Sequence, residues 1–166
     1  MSDVLGVPLA SWAIGLVAFV AMEPLTAATH RWVMHGIGER LHRSHHRAGR
    51  IAAKWETNDW YPVIFAAIVN VGFVVGFNVD GWGALVPAGI GVTAYGLAYG
   101  YVHDVYIHGR FTWLPRPRSA VLDRLAEAHR VHHLYNAAPY GMLVPVVPAE
   151  LRSRSQATER DPFARA

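Results

Sequence analysis

The sequence predicts an all-α integral membrane bundle, and two observations lead to that prediction. Three long segments carry no charge, and every histidine lies outside them. The apolar content of 52% and the mean hydropathy of +0.17 are higher than is usual in soluble domains. We expect one membrane domain over residues 1–149, followed by a disordered polar tail over residues 150–166.

The three charge-free segments are predicted to cross the bilayer. They cover residues 4–22, 62–79 and 82–102. At 1.5 Å per helical residue, each roughly matches a hydrocarbon core of about 30 Å. A cleaved signal is the alternative for the first segment, but its start is not basic and the run is longer than a signal core. The sequence Asn-Val-Asp-Gly at 78–81 predicts a tight turn between the second and third spans.

The positive charges predict the orientation in the membrane. All 15 Lys and Arg residues lie within residues 31–54 or 110–165. By the positive-inside rule, the N-terminus and the 78–81 turn face outward, and the histidine-bearing segments face the cytoplasm. This asymmetry also explains the pI of about 9.5, so no nucleic-acid partner is expected.

The ten histidines form a pattern that occurs twice. Each half of the chain has a His-x4-His-Gly motif, HRWVMHG or HDVYIHG, followed by a His-Arg-x-His-His motif, HRSHH or HRVHH. The candidate metal ligands are therefore His30, His35, His42, His45, His46, His103, His108, His129, His132 and His133.

Helical spacing predicts how these imidazoles converge. Residues i, i+3 and i+4 share one face of an α-helix, so the three histidines of each His-Arg-x-His-His motif are expected to point together. The two histidines of a His-x4-His motif are separated by about 500° of rotation, which leaves their rings about 140° apart. Each of these pairs is therefore expected to bracket a site rather than share a stripe.

So many imidazoles indicate two metal ions. A structural zinc ion is satisfied by four ligands, generally including cysteine, and the chain has no cysteine. Haem ligation would leave most of the histidines unused, and a solvated histidine surface would not require two repeated motifs. Imidazole suits iron, zinc, copper and nickel. A nitrogen-rich site at a membrane surface indicates iron used for oxygen chemistry on a lipid.

The stretches between the histidine motifs carry a family resemblance. They include Met22-Glu23, ETNDWY at 56–61, TAYGLAYGYVHDVYIHGR at 93–110 and Pro115-Arg116. With the histidine motifs, roughly residues 15–145 resemble the bacterial β-carotene hydroxylases of the membrane-bound fatty-acid hydroxylase superfamily. The chain departs from that pattern at both ends and around residues 111–114.

The resemblance implies an O2-dependent di-iron mono-oxygenase of the bacterial inner membrane. Its expected substrate is β-carotene, hydroxylated at C3 of each β-ionone ring through β-cryptoxanthin to zeaxanthin. The implied cofactors are two non-haem iron ions. The sequence has no Gly-rich nucleotide-binding fingerprint, so electrons are expected from an external ferredoxin-type donor and its reductase.

Polar residues near the motifs are candidates for hydrogen bonds to the ligand rings. Glu23 lies seven residues before His30, about two helical turns, so its carboxylate is placed to accept the second ring N–H. An interfacial charge is the alternative explanation of Glu23. The other candidates of this kind are Asn58, Asp59, Asp104 and Asn136.

The third span alternates small and aromatic residues. Close helix packing is one explanation for its glycines. A slot for a long polyene is the other, and its candidate residues are Tyr95, Gly96, Tyr99 and Gly100.

Two other functions fit the same motifs. A related di-iron fatty-acid or sterol hydroxylase or desaturase, or a carotenoid ketolase, would use a similar site. A non-catalytic metal-binding or transport protein is the alternative of another class. A transporter would place its ligands within the spans, whereas each histidine here lies at or beyond the end of a predicted span.

Overall fold

The computed structural model describes residues 3–4, 7–8, 11–46, 55–159 and 162. In these residues the chain is helical, as predicted, apart from one short antiparallel pairing of two strands. The elements in order are β1 (Asp3–Val4), β2 (Val7–Pro8), α1 (Trp12–Ala28), a first π-helical segment (Thr29–Ile37), α2 (Glu39–His42), a 3-10 turn (Thr57–Asp59), α3 (Trp60–Asn78), α4 (Leu85–Gly100), a second π-helical segment (Tyr101–Ile107), α5 (Ala120–Tyr135) and α6 (Ala149–Gln156).

Three helical stretches in the described part of the chain are long and apolar enough to cross a membrane. They are Trp12–Ile37, Thr57–Asn78 and Leu85–Ile107. Side chains such as Ile68 and Val71 are each 63% exposed, as expected where lipid rather than protein covers an apolar helix. The prediction of three spans is therefore confirmed at the level of length and composition.

The first span differs from its predicted limits at both ends. The helix begins at Trp12 rather than at residue 4, because the chain before it forms β1 and β2. Pro8 favours an extended conformation at the preceding Val7, which opposes a helix there. At the other end the helix continues past Glu23, whose carboxylate accepts backbone N–H groups and is thereby compensated within an apolar stretch.

Residues 1–22 and 60–98 form one compact unit, in which glycines allow close helix packing. A Cβ added at Gly91 would lie 2.0 Å from the carbonyl oxygen of Gly15, and one added at Gly15 would lie 2.8 Å from that of Pro87. Larger residues cannot be accommodated at this approach of α1 and α4 without separating the backbones. For Gly91, close packing is thus the correct explanation.

Residues 23–59 and 99–166 form the second unit, which contains all ten histidines. Its α5 begins at Ser119, whose hydroxyl accepts a hydrogen bond from Leu122 N, and ends at Asn136 in the left-handed conformation (φ 51°). These two residues fix the limits of the helix that carries the HRVHH motif.

The polar tail differs from the predicted disorder. Its first part forms α6 (Ala149–Gln156), in which Ser155 is 2% exposed. The carbonyl oxygen of Ser155 accepts a hydrogen bond from Arg130 on α5, and the guanidinium of Arg154 lies over the Tyr135 ring. These contacts with α5 order the segment despite its polar composition. Residues 160–161 and 163–166 of the predicted tail lie outside the described residues.

Candidate metal centre

Both His-x4-His pairs lie on π-helical turns, which bring their rings together. His30 and His35 belong to the first π-helical segment, and their Nε2 atoms are 3.3 Å apart. At the second segment, His108 N donates to His103 O at 2.9 Å, and the two ring centroids are 4.6 Å apart. An i→i+5 hydrogen bond stacks residues five apart, which a regular α-helix would separate. The expectation of rings about 140° apart is therefore wrong.

The three rings of each His-Arg-x-His-His triplet lie together, with centroids 4.6 to 5.8 Å apart, as the helical spacing predicts. Each triplet is nevertheless divided between two clusters of imidazoles. In the first triplet, where α2 ends at His42 and residues 43–46 form turns, His45 belongs to a different cluster from His42 and His46. On the continuous helix α5, His132 is rotated by about 100° from His133. The division therefore occurs both on turns and on a continuous helix.

The structure gathers nine imidazoles into two clusters, in each of which the potential ligand atoms lie within 4.8 Å of one another. The five-histidine cluster contains His30, His35, His42, His46 and His132, and the four-histidine cluster contains His45, His108, His129 and His133. The tenth, His103, places its Nε2 atom 3.0 Å from that of His45. Each cluster takes ligands from both halves of the chain.

In the five-histidine cluster the Nε2 atoms form a closed ring. Successive Nε2 atoms are 3.0 to 3.3 Å apart. On the other side of three of the rings, Nδ1 faces an acceptor: His30 faces Tyr140 O at 3.0 Å and His132 faces Ala137 O at 2.6 Å. His42 faces the side-chain oxygen of Asn58 at 2.7 Å.

These acceptors fix where the imidazole protons are. A carbonyl or amide oxygen only accepts, so the proton of each of these three rings is on Nδ1 and a lone pair is on Nε2. The lone pairs of His30 and His42 then face each other at 3.2 Å in a buried space, with no proton between them. Such a donor set is unfavourable when empty and fits a cation at its centre, so the cluster could bind a metal ion.

The four-histidine cluster has the same character but different supporting groups. The Nε2 atom of His129 lies 3.1 Å from that of His108 and 2.9 Å from that of His133. His45 Nδ1 lies 3.5 Å from a buried oxygen of Glu56. The neighbouring His103 directs Nδ1 to Asp104 at 3.2 Å. Carboxylates thus support the four-histidine cluster, whereas two backbone carbonyls support the five-histidine cluster.

Arg110 connects the carboxylates of Asp59 and Asp104. Its guanidinium donates to both oxygens of Asp59 at 2.7 Å and to Asp104 at 3.1 Å. Asp59 in turn accepts a hydrogen bond from Glu56 N at 2.9 Å. The hydrogen bonds that Arg110 donates to Asp59, and the nearby Asp104 charge, raise the pKa of Arg110 against the effect of burial. The guanidinium therefore stays charged and holds the residue 56–59 turn against the second π-helical segment.

Three of the predicted hydrogen-bond partners bond groups other than the ligand rings. Asp59 accepts from Arg110 and from Glu56 N. Glu23 was a candidate acceptor for His30, but Tyr140 O occupies that role and the Glu23 carboxylate accepts from Leu143 N and Val144 N. Asn136 contributes its left-handed backbone, which turns the chain so that the Ala137 carbonyl reaches His132.

Sequence reasoning missed Glu56, Arg110 and the two backbone carbonyls. Glu56 could have been found, because it lies in the same ETND stretch as Asn58 and Asp59. The carbonyl groups could not, because every residue carries one and the side chain gives no signal of its use.

The candidate residues of the polyene slot have different environments. Tyr95 is 1% exposed and meets the Phe19 ring edge-on at 5.8 Å, so it packs within the first unit. A Cβ added at Gly96 or at Gly100 would meet no atom of the described residues within 4 Å. The Tyr99 ring lies 5.4 Å from that of His103. Open space is therefore present beside two of the four candidates.

Burial keeps the ligand imidazoles neutral. Desolvation lowers the pKa of His42 to about 3, against an opposing hydrogen bond to Asn58, and it lowers the pKa of His46 to about 2 with the help of neighbouring imidazoles. Burial also lowers the pKa of His129, His132 and His133 well below the usual value of 6.5. Neutral imidazole is the form that binds a metal ion.

These shifts predict that acid destabilises the metal-free protein. The unfolded imidazoles take up protons below about pH 6.5 while the folded ones do not, so the free energy of unfolding falls by about 1.4 kcal/mol per pH unit for each such ring. For His42 the loss continues down to about pH 3. The melting temperature of chelator-treated protein in detergent should drop steadily from pH 7 to pH 5; a constant value would contradict the assignment.

The fold and the two clusters define a histidine-rich protein with helices long and apolar enough to cross a membrane and with imidazoles that could bind metal ions. Comparison with known proteins identifies its family. The fatty acid hydroxylase family model matches residues 15–148. The chain therefore belongs to the fatty acid hydroxylase family, which confirms the oxidoreductase class.

Several proteins named beta-carotene hydroxylase are similar to this chain. It is 38% identical to one from Pseudescherichia vulneris, over 84% of this chain and 80% of the relative. It is 37% identical to one from Pantoea ananas, over 89% and 82% of the two chains. A protein of that name from Paracoccus sp. (strain N81106 / MBIC 01143) is 42% identical over 71% and 72%. No solved structure matches the chain significantly.

Proposed function

We propose that this protein is a β-carotene 3-hydroxylase that hydroxylates the β-ionone rings of β-carotene through β-cryptoxanthin to zeaxanthin. The observation that carries the proposal is the pair of adjacent, buried imidazole clusters in a chain of this family. The names of the three relatives supply the substrate. The overall change is C–H + O2 + 2 e⁻ + 2 H⁺ → C–OH + H2O, so a reductant is required.

We assign one non-haem iron ion to each cluster, with His103 as a further ligand on the four-histidine side. When bound, the iron pair supplies the two-electron activation of O2 that this chemistry needs. The protein holds the Nε2 lone pairs of its ligand rings inward and the Nδ1 protons outward, on acceptors such as Ala137 O and Asn58. Burial keeps the rings neutral and limits access of water to the centre.

The substrate ring is proposed to lie beside Tyr99 and Gly100. The Tyr99 ring is close to His103, and the space where a Gly100 side chain would be is open. Glycine at this position therefore leaves room for an apolar ring near the ligand set. Electrons are proposed to come from a ferredoxin-type donor and its reductase, since the chain has no nucleotide-binding fingerprint.

The product formed in a β-carotene-accumulating host tests the function. Expression of the chain should yield β-cryptoxanthin and zeaxanthin, identified by chromatography and mass spectrometry. A 4-keto product would instead identify a ketolase. Unchanged β-carotene together with altered fatty acids or sterols would identify a hydroxylase or desaturase of those lipids, and metal binding without any of these products would favour the non-catalytic alternative.

We also propose that the N-terminus faces out of the bacterial inner membrane and that the histidine clusters face the cytoplasm. The distribution of Lys and Arg supports this orientation. Because the chain has no cysteine, single cysteines introduced by mutation can be labelled to test the orientation. Asp80→Cys, in the turn between α3 and α4, should react with an impermeant maleimide in intact spheroplasts, and Ser153→Cys in α6 should react only after lysis. The reverse labelling would invert the proposed orientation.

A further inference from the structure

We propose that Glu23 is a positioning residue for the five-histidine cluster, acting through the backbone of the loop at residues 137–144. The inference rests on the proposed function only in requiring that a metal ion occupies this cluster. Glu23 itself does not supply the acceptor for His30, which is Tyr140 O. Its effect is transmitted by the loop that carries this acceptor.

The carboxylate of Glu23 holds the far end of the loop. One oxygen accepts from Leu143 N at 3.1 Å and the other accepts from Val144 N at 2.9 Å. Glu23 lies within the candidate span Trp12–Ile37, where an uncompensated carboxylate is costly. Charge-assisted bonds to two consecutive N–H groups provide that compensation, and they also fix the loop to the helix.

The near part of the same loop supports two ligands. Ala137 O accepts from His132 Nδ1 at 2.6 Å, and Tyr140 O accepts from His30 Nδ1 at 3.0 Å. The Tyr140 ring also lies within 5.5 to 5.7 Å of the ring centroids of His30, His35 and His132. Displacement of the loop would therefore remove the acceptors of two Nδ1–H groups. The two rings could then rotate, which would turn their Nε2 lone pairs away from the cluster.

Gly141 gives independent support for this arrangement. A Cβ added there would lie 2.6 Å from the Glu23 carboxylate and 3.3 Å from Val144 O. The position beside the carboxylate is thus free of any side chain, which allows the loop backbone to reach Glu23. Even the methyl group of alanine would push the loop and the carboxylate apart.

This arrangement predicts that loss of Glu23 affects metal binding at only one of the two clusters. The four-histidine side is supported by Glu56 and Asp104 rather than by this loop. Loss of Glu23 should therefore weaken metal binding at the five-histidine cluster alone. Loss of an outer hydrogen-bonding partner usually lowers metal affinity by roughly 10- to 100-fold.

The test is Fe²⁺ binding to the purified full-length protein, measured anaerobically by competition with a chelator. Glu23→Ala and Gly141→Ala should each weaken one of the two bound metals by roughly 10- to 100-fold and leave the other within about twofold. His132→Ala identifies the metal ion of the five-histidine cluster, and His129→Ala identifies that of the four-histidine cluster. The metal ion bound more weakly in Glu23→Ala and in Gly141→Ala should be the one affected in His132→Ala. Glu23→Gln, which keeps one acceptor oxygen of the same size, should fall between wild type and Glu23→Ala. Glu150→Gln, an exposed glutamate on α6, is the matched control and should bind as wild type.

Two results would overturn the inference. One is an unchanged affinity for both metals in Glu23→Ala, and the other is an equal loss of both, which would indicate a general folding defect. Circular dichroism of each variant identifies misfolded protein, and Gly141→Ala gives a second measurement if Glu23→Ala does not fold. A wild-type protein that binds one metal would refute the di-iron function. The inference would then be decided by whether Glu23→Ala weakens the same metal as His132→Ala.

Discussion

Replacement of His132 by alanine is expected to remove the metal ion of the five-histidine cluster and to abolish turnover. His132 is completely buried, and its Nε2 atom lies 3.2 Å from those of both His35 and His46. It is also the residue of this cluster that comes from the second half of the chain. Its removal takes away the one Nε2 atom that α5 contributes to this ring of five.

The size of the effect follows from comparison with the supporting groups. Loss of an outer hydrogen bond usually costs roughly 10- to 100-fold in metal affinity or activity, so loss of the ligand itself should exceed about 100-fold. Iron content should fall to about half of the wild-type value, measured by elemental analysis. Arg124→Gln, an exposed position on the same helix, should behave as wild type. Full hydroxylation by His132→Ala would remove this residue from the ligand set.

Replacement of Arg110 by glutamine is expected to cause the largest loss of stability outside the histidines. The Arg110 side chain is 11% exposed, and its partners Asp59 and Asp104 are 12% and 25% exposed. Removal of the guanidinium leaves two carboxylates close together in a partly desolvated site. Breaking a buried ion pair from one side costs about 3 to 5 kcal/mol, and this should appear in the free energy of unfolding in detergent.

An exposed ion pair gives the control for this variant. Arg43 and Glu39 are 57% and 48% exposed, so Arg43→Gln should cost less than about 1 kcal/mol. Arg110→Lys keeps the charge but loses the two parallel hydrogen bonds to Asp59, so it should lie between Arg110→Gln and wild type. Equal stability of Arg110→Gln and Arg43→Gln would show that the network around Arg110 is not stabilising.

The sequence predicted the helical class, the three spans and the group of histidines, because these depend on composition and spacing. It did not predict how the histidines divide. The triplet at residues 42–46, where α2 ends at His42, and the triplet on the continuous helix α5 divide in the same way, so local helical geometry does not determine the division. Similarly, a π-helical turn changes the hydrogen-bond partner of each residue without changing the amino acids, so the alignment of His30 with His35 was not visible.

The partners of the ligand rings were predictable only where they are side chains close to a motif. Asn58 and Asp104 lie where a polar residue near a histidine motif was expected to act. Glu23 was assigned to His30 from its spacing along one helix, but the competing acceptor comes from a loop more than a hundred residues later. Long-range backbone contacts of that kind depend on the folded chain as a whole.

The exchange of ligands between the two halves of the chain has a consequence for biogenesis. The five-histidine cluster is incomplete without His132, and the four-histidine cluster needs His45 together with His129 and His133. A nascent polypeptide that has emerged only as far as the end of α4 therefore holds neither complete set. Neither set of imidazoles can therefore assemble until the segment through His133 has emerged from the ribosome.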